Sequence, residues 1–391
     1  MIKVISHNII SPLGVSSLEN FRRVAAGDSM LTLHEDKFGL PEPFCGSLLD
    51  REAICRRFED TFSDLDSQPQ SDQESVPSDL TIFEKLAILS AHAAISDAAI
   101  DPAAEDVIFI LSTTKGNVDL LANDPDDLRS FLAESARRIA RFFCNHNTPL
   151  VVSNACISGV CAQIAAVREL MSGRFSRAVV IGSDILSRFI VSGFQSFKAL
   201  SPEPCRPFDA DRVGLNLGEA AGTIIYEATD DVLTPDDWVF VAASNHNDAN
   251  HISGPSRTGE GSFRVLSDIL RWVDPQKLAF VNVHGTATLY NDEMESIALH
   301  RAGLDNIPVN GFKGYYGHTL GAAGIIETIL SMLAVDHNMV PATRGFLSHG
   351  TSCRPSVSSS ARPTLHKAFI KILSGFGGSN AGISLSKGML S

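Results

Sequence analysis

The sequence predicts an α/β fold with mostly buried sheets, arranged as two related halves. Three observations carry this. Apolar runs of strand length alternate with stretches of helical spacing along the 391 residues, the pattern of sheets covered by helices. Runs such as Val107-Ile108-Phe109-Ile110-Leu111 and Ala178-Val179-Val180-Ile181 are apolar at consecutive positions, as in strands buried on both faces. The rhythm also repeats: Cys156 is followed at the third position by Gly159, then Val, Cys, Ala, and His318 by Gly321, then Ala, Ala, Gly. Each is a polar, reactive residue ahead of a helix of small side chains, which lets two helices approach closely. The reading is two halves, residues 1–230 and 231–391, packed about a pseudo-twofold axis with both reactive corners at the seam. The charged, Pro-containing connection from Asp230 to Asp237 marks the boundary.

In chain order, residues 1–10 partly alternate and stop at Ser11-Pro12, so they read as a first strand and not as a signal peptide. Leu18 to Ala26 is a short helix capped by Ser16 or Ser17. Glu59 to Asp79 is acidic and rich in Ser, Gln and Pro, which predicts an exposed, mobile loop. Phe83 to Ile100, Ala-rich, is a buried helix; Val107 to Leu111 is a strand running into the polar loop Ser112 to Asn117; Asp127 to Phe143 is a helix with Arg137, Arg138 and Arg141 on or near one face. Strands follow at 178–184 and within Leu217 to Tyr226. The second half reads as strand near 239–244, helix 261–272, strand 279–284, helix 292–301, a short strand before Lys313, helix 320–336, and strands 368–374 and 381–386.

Composition narrows the function. A chain 44% hydrophobic and 20% charged buries a sizeable core, and a net charge of −13 argues against broad nucleic-acid binding, which needs concentrated Lys and Arg. Seven cysteines, odd in number and irregularly spaced, imply neither a disulfide framework nor a structural metal. A reducing, cytoplasmic setting fits. No apolar run reaches the roughly 20 residues of a membrane span.

The chemistry gathers at four places. Val151-Val152-Ser153-Asn154-Ala155-Cys156-Ile157-Ser158-Gly159 reads as strand, tight turn and helix start. Free backbone N–H groups and the helix dipole there favour a thiolate, so Cys156 is a candidate nucleophile; the alternative is a buried structural cysteine. Val283-His284-Gly285-Thr286-Ala287-Thr288 ends a strand with groups suited to an amide-rich ligand arm. Lys313-Gly314-Tyr315-Tyr316-Gly317-His318-Thr319-Leu320-Gly321-Ala322-Ala323-Gly324 carries a second histidine. Ser374-Gly375-Phe376-Gly377-Gly378-Ser379-Asn380 is a glycine-rich turn able to aim N–H groups into an oxyanion hole. Each taken alone also reads as an ordinary strand-end turn.

Together and in this order, these motifs resemble those of the β-ketoacyl-acyl carrier protein synthases, the elongating, Cys-His-His condensing enzymes of the thiolase superfamily. The match runs from about residue 1 to 388, and Arg206-Pro207-Phe208-Asp209 and Gly218-Glu219 resemble the family as well. The resemblance implies a thiolase-like fold of layered αβαβα arrangement and a decarboxylative Claisen condensation of an acyl-enzyme with malonyl-acyl carrier protein. It implies Cys156 as the nucleophile, His284 and His318 as donors to the enolate oxygen, and the backbone N–H groups of Cys156 and Phe376 as oxyanion hole, with Phe376 as a gate. It pairs Lys313 with a buried glutamate, here Glu327, and sets Thr286 and Thr288 on the phosphopantetheine arm. A lysine beside two histidines keeps them neutral, and a structural ion pair is the equal alternative for Lys313. Strand-end capping is the alternative for the threonines. Asp292 and Glu295 read as structural helix-start residues. The substrates ride on the phosphopantetheine of an acyl carrier protein, and neither a metal nor an enzyme-bound cofactor is implied.

Implied partners are that carrier and a second subunit, in a homodimer or a heterodimer with a sister synthase. Arg137, Arg138 and Arg141, or Arg56 and Arg57, are candidates to receive an acidic carrier, with solvated helix faces as the plainer reading. The sequence departs from the family pattern at Ser374, where a phenylalanine is common, at the Ser112–Asn117 loop, and in the short turn Ser201 to Cys205. These departures keep a specialised polyene- or polyketide-like pathway open beside housekeeping fatty-acid synthesis. Two other classes compete: a non-catalytic subunit resembling the chain-length factors, which usually lack the nucleophile present here, and a cysteine hydrolase built on one Cys–His pair.

Overall fold

In the computed structural model, which describes residues 1–63, 79–248, 250 and 254–388, the two halves lay down their strands in the same order. The first set is β1 (Ile2–Ile10), β2 (Val107–Ser112), β3 (Leu150–Val152), β4 (Arg177–Asp184) and β5 (Ala220–Ala228). The second is β6 (Trp238–Asn247), β7 (Leu278–Asn282), β8 (Pro308–Asn310), β9 (Ala368–Gly375) and β10 (Ser379–Lys387). Across the sheet they run β3-β2-β4-β5-β1 and then β6-β10-β9-β7-β8, with Ser356–Val357 as an eleventh strand beside β8. In each half the first strand pairs antiparallel with the fifth, the fifth antiparallel with the fourth, and the remaining pairs are parallel. Among the described residues the two halves of this sheet pair where β1 meets β6, at Lys3–Val239 and Val4–Trp238.

Five helices explain the layering: α1 (Ile82–Ala98), α2 (Ser158–Met171), α3 (Glu260–Ile269), α4 (Leu289–Arg301) and α5 (Ala323–Asp336). α1 covers the outer face of the first sheet, and α3, backed by α4, covers that of the second. α2 and α5 touch each other and strands of both halves, so they form the middle layer. Their sequences dictate this. α5 is largely apolar, with Glu327 its one charged residue between Ala323 and Val335, and it is buried at every residue of that span, as a helix with no solvent face must be. α1 is fixed at its start by a complete capping box, in which Thr81 accepts from the Glu84 N–H and Glu84 from that of Thr81.

The two middle helices meet at glycines. A Cβ on Gly159 would lie 2.9 Å from the Gly321 carbonyl oxygen and the Gly324 Cα, and one on Gly324 would lie 2.5 Å from the Val160 nitrogen. All these neighbours are backbone, which cannot rotate aside. The small residues that echo each other in the sequence are therefore the contact between the halves.

Most elements fall where the sequence puts them, but not all: the helix expected from Asp127 begins only at Leu132, after a 3-10 turn at Leu128–Ser130, and the short strands Thr32–His34 and Phe44–Ser47 and the short helix Lys313–Tyr316 lie where no element is expected. The stretch from Glu59 to Phe62 is the last turn of a helix, Arg51–Phe62, and not loop; Phe58 and Phe62 pack on Phe142 in the outer core, which outweighs the polar composition. The rest of the loop predicted there, residues 64–78, lies outside the described residues. A second helix, Arg188–Ser196, capped by Ser187, occupies a stretch to which the sequence analysis assigns no element.

Gly324→Ala is expected to cost about 3 kcal/mol or more, the upper range for overpacking a closed core, because the intruding methyl meets backbone. Urea unfolding of the variant beside the parent measures it; a loss under about 0.5 kcal/mol, within the scatter of ordinary surface changes, contradicts the close approach.

Candidate active site

Cys156 sits on a sharp corner between β3 and α2. Ala155 ahead of it adopts φ 44°, in the left-handed region, and the corner is held by Ser158, whose hydroxyl accepts from the Asn154 N–H and donates to the Ala155 carbonyl. α2 then begins at Ser158. Gly375 presses against this corner: a Cβ there would lie 3.3 Å from both the Ala155 Cβ and the Cys156 nitrogen. That approach brings the Phe376 backbone to the thiol, and the N–H groups of Cys156 and Phe376 both favour the thiolate. Burial nonetheless dominates and pushes the thiol up to about 11, against the pull of Lys313. Helix-start placement alone predicts an activated thiolate; in the closed site the thiol is protonated.

His284 and His318 complete the cluster. The Cys156 sulfur and one ring nitrogen from each histidine all lie within 4.8 Å of one another, and the two rings meet edge to face at 5.0 Å. His318 is held through its backbone by the other half: its N–H donates to the Asn216 carbonyl, and its carbonyl accepts from Gly218. The Leu320 N–H donates to His318 Nδ1 at 3.2 Å. That nitrogen is thereby an acceptor, which puts the proton on Nε2. Nε2 has no protein partner, and His318 lines the cavity. Both rings are held well below the usual histidine value by burial first and then by the charge of Lys313, so both are neutral at pH 7. Cys and two His side chains are also types a metal binds, but the ammonium groups of Lys313 and Lys371 act on both rings, and positive charge of that kind opposes a cation.

Lys313 is fully buried. Its ammonium donates to the His284 carbonyl at 2.6 Å and to Glu327 Oε1 at 2.9 Å, so the predicted pair is present. The second oxygen of Glu327 accepts a short hydrogen bond from Lys371. Sequence reasoning missed Lys371, although a lysine inside the otherwise apolar run Ala368-Phe369-Ile370-Lys371-Ile372-Leu373 was a readable signal. Glu295 and Asp292 staple the loop after β7: Glu295 accepts from the His284 and Gly285 N–H groups, and Asp292 from those of Thr286 and Phe208. Burial, with the Asp292 charge beside it, pushes Glu295 up to about 7.

These side chains open onto a cavity of about 440 Å³ lined by Cys156, His284, His318, Thr286, Thr288 and Phe376, among others. Thr286 and Thr288 bond each other at 2.9 Å, and Thr288 also caps α4. The ligand-arm and capping readings of Thr288 are thus compatible. Phe376 lies between Phe194 and Phe197 at the end of the unpredicted helix, with ring centroids at 5.8 and 5.3 Å. Ser374 also lines the cavity and donates to Asn380, which Ser262 bonds as well. A larger groove of about 760 Å³, between β1, the end of α2 and β6, contains none of the catalytic candidates. Of the candidate carrier-binding arginines, Arg138 pairs with Glu84 and Asp79, Arg137 with Glu134 and Arg56 with Glu52; none of the five lines the cavity.

A mixed sheet repeated in two halves around a central helix pair, with Cys, two His and Lys at the seam, defines a condensing enzyme of thiolase-like fold. The family profile for the beta-ketoacyl synthase N-terminal domain matches residues 2–231, and that for the C-terminal domain matches residues 239–347. The chain belongs to the beta-ketoacyl synthase family and is an acyltransferase. It is similar to 3-oxoacyl-[acyl-carrier-protein] synthase 2 of Rhizobium meliloti, 32% identical over 259 residues that span 60% of each chain. It also resembles nodulation protein E of Rhizobium leguminosarum bv. trifolii, 31% identical over 211 residues and 52% of each. Two solved structures share the fold. One is a beta-ketoacyl synthase from Burkholderia phymatum, with TM-score 0.83, 20% identity and 99% of both chains covered. The other is the Xenorhabdus doucetiae ketosynthase ApeO in complex with its chain length factor ApeC, with TM-score 0.80, 22% identity and 99% and 98% covered. No helix among the described residues is long and apolar enough to cross a membrane.

The depressed histidines make stability depend on pH. In the unfolded chain they return to about 6.5, so below that pH the unfolded state takes up protons that the folded state refuses. Their contribution is full above pH 6.5 and is lost as pH falls beneath it. His318→Gln is therefore expected to show a smaller loss of stability between pH 7 and pH 5 than the parent in urea melts; equal losses in both proteins contradict a buried neutral His318.

Proposed function

We propose that Cys156, His284, His318 and Lys313 form the catalytic group of a condensing enzyme that extends an acyl chain with malonyl-acyl carrier protein. The observation that carries this reading is the His318 tautomer: a neutral ring with Nε2–H free, beside a second neutral histidine and the thiol, is a donor pair and not a Cys–His hydrolase dyad. In the first step the Cys156 sulfur attacks the acyl thioester and expels the carrier thiol, which leaves with the proton that Cys156 gives up. In the second, the malonyl thioester loses CO2 and its negative charge moves to the thioester oxygen. The histidine N–H donors stabilise that enolate, and preorganised donors in a dry site cost no reorganisation.

The enolate carbon then attacks the acyl carbonyl. The new oxyanion is held by the N–H groups of Cys156 and Phe376, and collapse returns the Cys156 thiolate, which regains a proton. The proton that Cys156 regains comes from solvent, and the net products are β-ketoacyl-carrier protein, CO2 and the carrier thiol released in the first step. Thr286 and Thr288 hold the phosphopantetheine arm, Glu327 orients Lys313 through its hydrogen bond, and Phe376 is the gate over the acyl site. The halves meet at residues 230 and 231. The working unit is a homodimer in the cytoplasm, with a heterodimer of sister subunits as the outcome that a size measurement on the pure chain separates. A specialised acyl chain is favoured by the polar Ser374–Asn380–Ser262 wall, where the family commonly has phenylalanine.

Mass spectrometry of the protein with a panel of acyl carrier proteins tests this. Cys156 is expected to gain the acyl mass, and Cys156→Ala to gain none and form no product. His284→Ala and His318→Ala should slow CO2 release by about 10²–10³-fold, the cost of losing one preorganised donor. Undiminished condensation by Cys156→Ala sinks the reading, and thioester cleavage without malonyl carrier replaces it with hydrolysis.

A further inference from the structure

Lys371 takes no part in the roles above, yet it is fully buried at the heart of the site. It comes from β9, two strands removed from the loop that holds Lys313, and both ammonium groups share one carboxylate, Glu327. A Lys313–Glu327 pair alone would be neutral. With the second lysine, two cations face one anion and a net positive charge remains. The other acid facing Lys371 is Glu295, whose oxygens are engaged by the His284 and Gly285 N–H groups and whose charge is weakened by burial. Lys371 also donates to the Val283 carbonyl at 3.2 Å, as Lys313 does to the next carbonyl, that of His284. The two lysines thus grip consecutive peptide groups of the segment that carries the catalytic histidine.

The geometry points to Lys371 as a positioning residue for decarboxylation, holding the His284 segment and supplying the uncompensated positive charge behind the two histidine donors. The inference rests on the condensing function proposed above. As CO2 leaves, negative charge travels from the carboxylate to the thioester oxygen, toward those donors and the cations behind them. A charge fixed in a dry interior acts far more strongly on that movement than one in water. A lysine kept only to fill and tie a core would behave differently: replacing it removes one partner of a buried ion group and costs stability, but leaves the chemistry of the folded protein untouched. The charge acts on both rings, since Lys371 and Lys313 each hold His318 and His284 in the neutral state.

The two half-reactions separate the possibilities. In the full-length protein, acyl transfer to Cys156 is followed by mass spectrometry, and CO2 release from malonyl carrier protein is followed independently. Lys371→Met is expected to lower kcat for CO2 release about thirtyfold, with KM for the malonyl carrier within about twofold, because the charge matters more in the transition state than in binding. The pH profile gives a readout that packing alone would not move. Burial, and Lys313 nearby, bring Lys371 down to about 8 against the pull of Glu327. The parent should therefore lose CO2 release above pH 8, and Lys371→Met should lack that limb. Lys371→Gln, which keeps a donor for Val283 but no charge, should match Lys371→Met; it also serves if the methionine variant does not fold. Wild-type rates in folded Lys371→Met, or full recovery in Lys371→Gln, overturn the inference. If the parent itself neither acylates Cys156 nor releases CO2, the condensing reading fails instead.

Discussion

The contact between Gly159 and Gly324 governs the rest of the molecule. Cys156 lies three residues before one glycine, and His318 lies six before the other, at the starts of helices from opposite halves. When backbone touches backbone, with Gly159 also against the Gly321 carbonyl, the helix starts can stand no farther apart than a few ångströms, and the reactive side chains inherit that spacing. Interactions around the contact hold it in register. Ser112 donates to the Gly321 carbonyl, and the Gly321 N–H donates to Asp184, which Thr113 and Thr114 also bond. The predicted polar loop after β2 thus becomes part of the brace, which is a physical use for threonines where glycines are common in the family.

Electrostatics in the site follow from that closure. Burial raises the thiol and lowers both histidines, so the resting group is uncharged at its tip and carries its charges one layer back, on Lys313, Glu327 and Lys371. Such a site spends nothing on holding a thiolate in apolar surroundings, and its neutral rings stay able to donate. The cations behind them keep the rings neutral and favour an anion in front. The same dry setting makes an unpaired group costly, which is why Glu295 and Asp292 use their oxygens on backbone N–H groups of the His284 loop.

What was legible in the sequence is what local pattern writes down. The strands, the middle helices and the four motif corners follow from apolar runs, small-residue spacing and turn chemistry, and the echo from Cys156 to His318 is the glycine contact seen in one dimension. Three features were not legible for a shared reason: each depends on a distant partner. The helix Arg51–Phe62 is polar in composition and is fixed by Phe58 and Phe62 against Phe142. The helix Arg188–Ser196 exists to bring Phe194 against Phe376, from a strand pair almost two hundred residues on. Lys371 looks like a misplaced charge until Glu327 is set beside it. Helix-start placement of Cys156 gave the right neighbourhood and the wrong protonation state, because dipole arguments read off a sequence carry no burial.

The gate assigned to Phe376 can be argued from what is anchored and what is not. The base of its turn is tied by Ser374 and Ser262 to Asn380, and Asn380 donates to the Gly378 carbonyl. Gly377 and Gly378 adopt φ 87° and 77°, a region glycine enters at no steric cost, and a Cβ on Gly377 would meet nothing within 4 Å. The tip is restrained by the aromatic clasp of Phe194 and Phe197 and by hydrogen bonds that Asn247 donates to the Gly377 carbonyl and the Asp248 N–H to the Gly378 carbonyl. Aromatic pairs of this kind contribute about 0.5–1.5 kcal/mol each beyond area burial, enough to favour closure and little enough for an arriving acyl chain to displace. On the proposed gating role of Phe376, selectivity for the chain lies as much in the helix that carries the clasp as in the pocket behind the thiol.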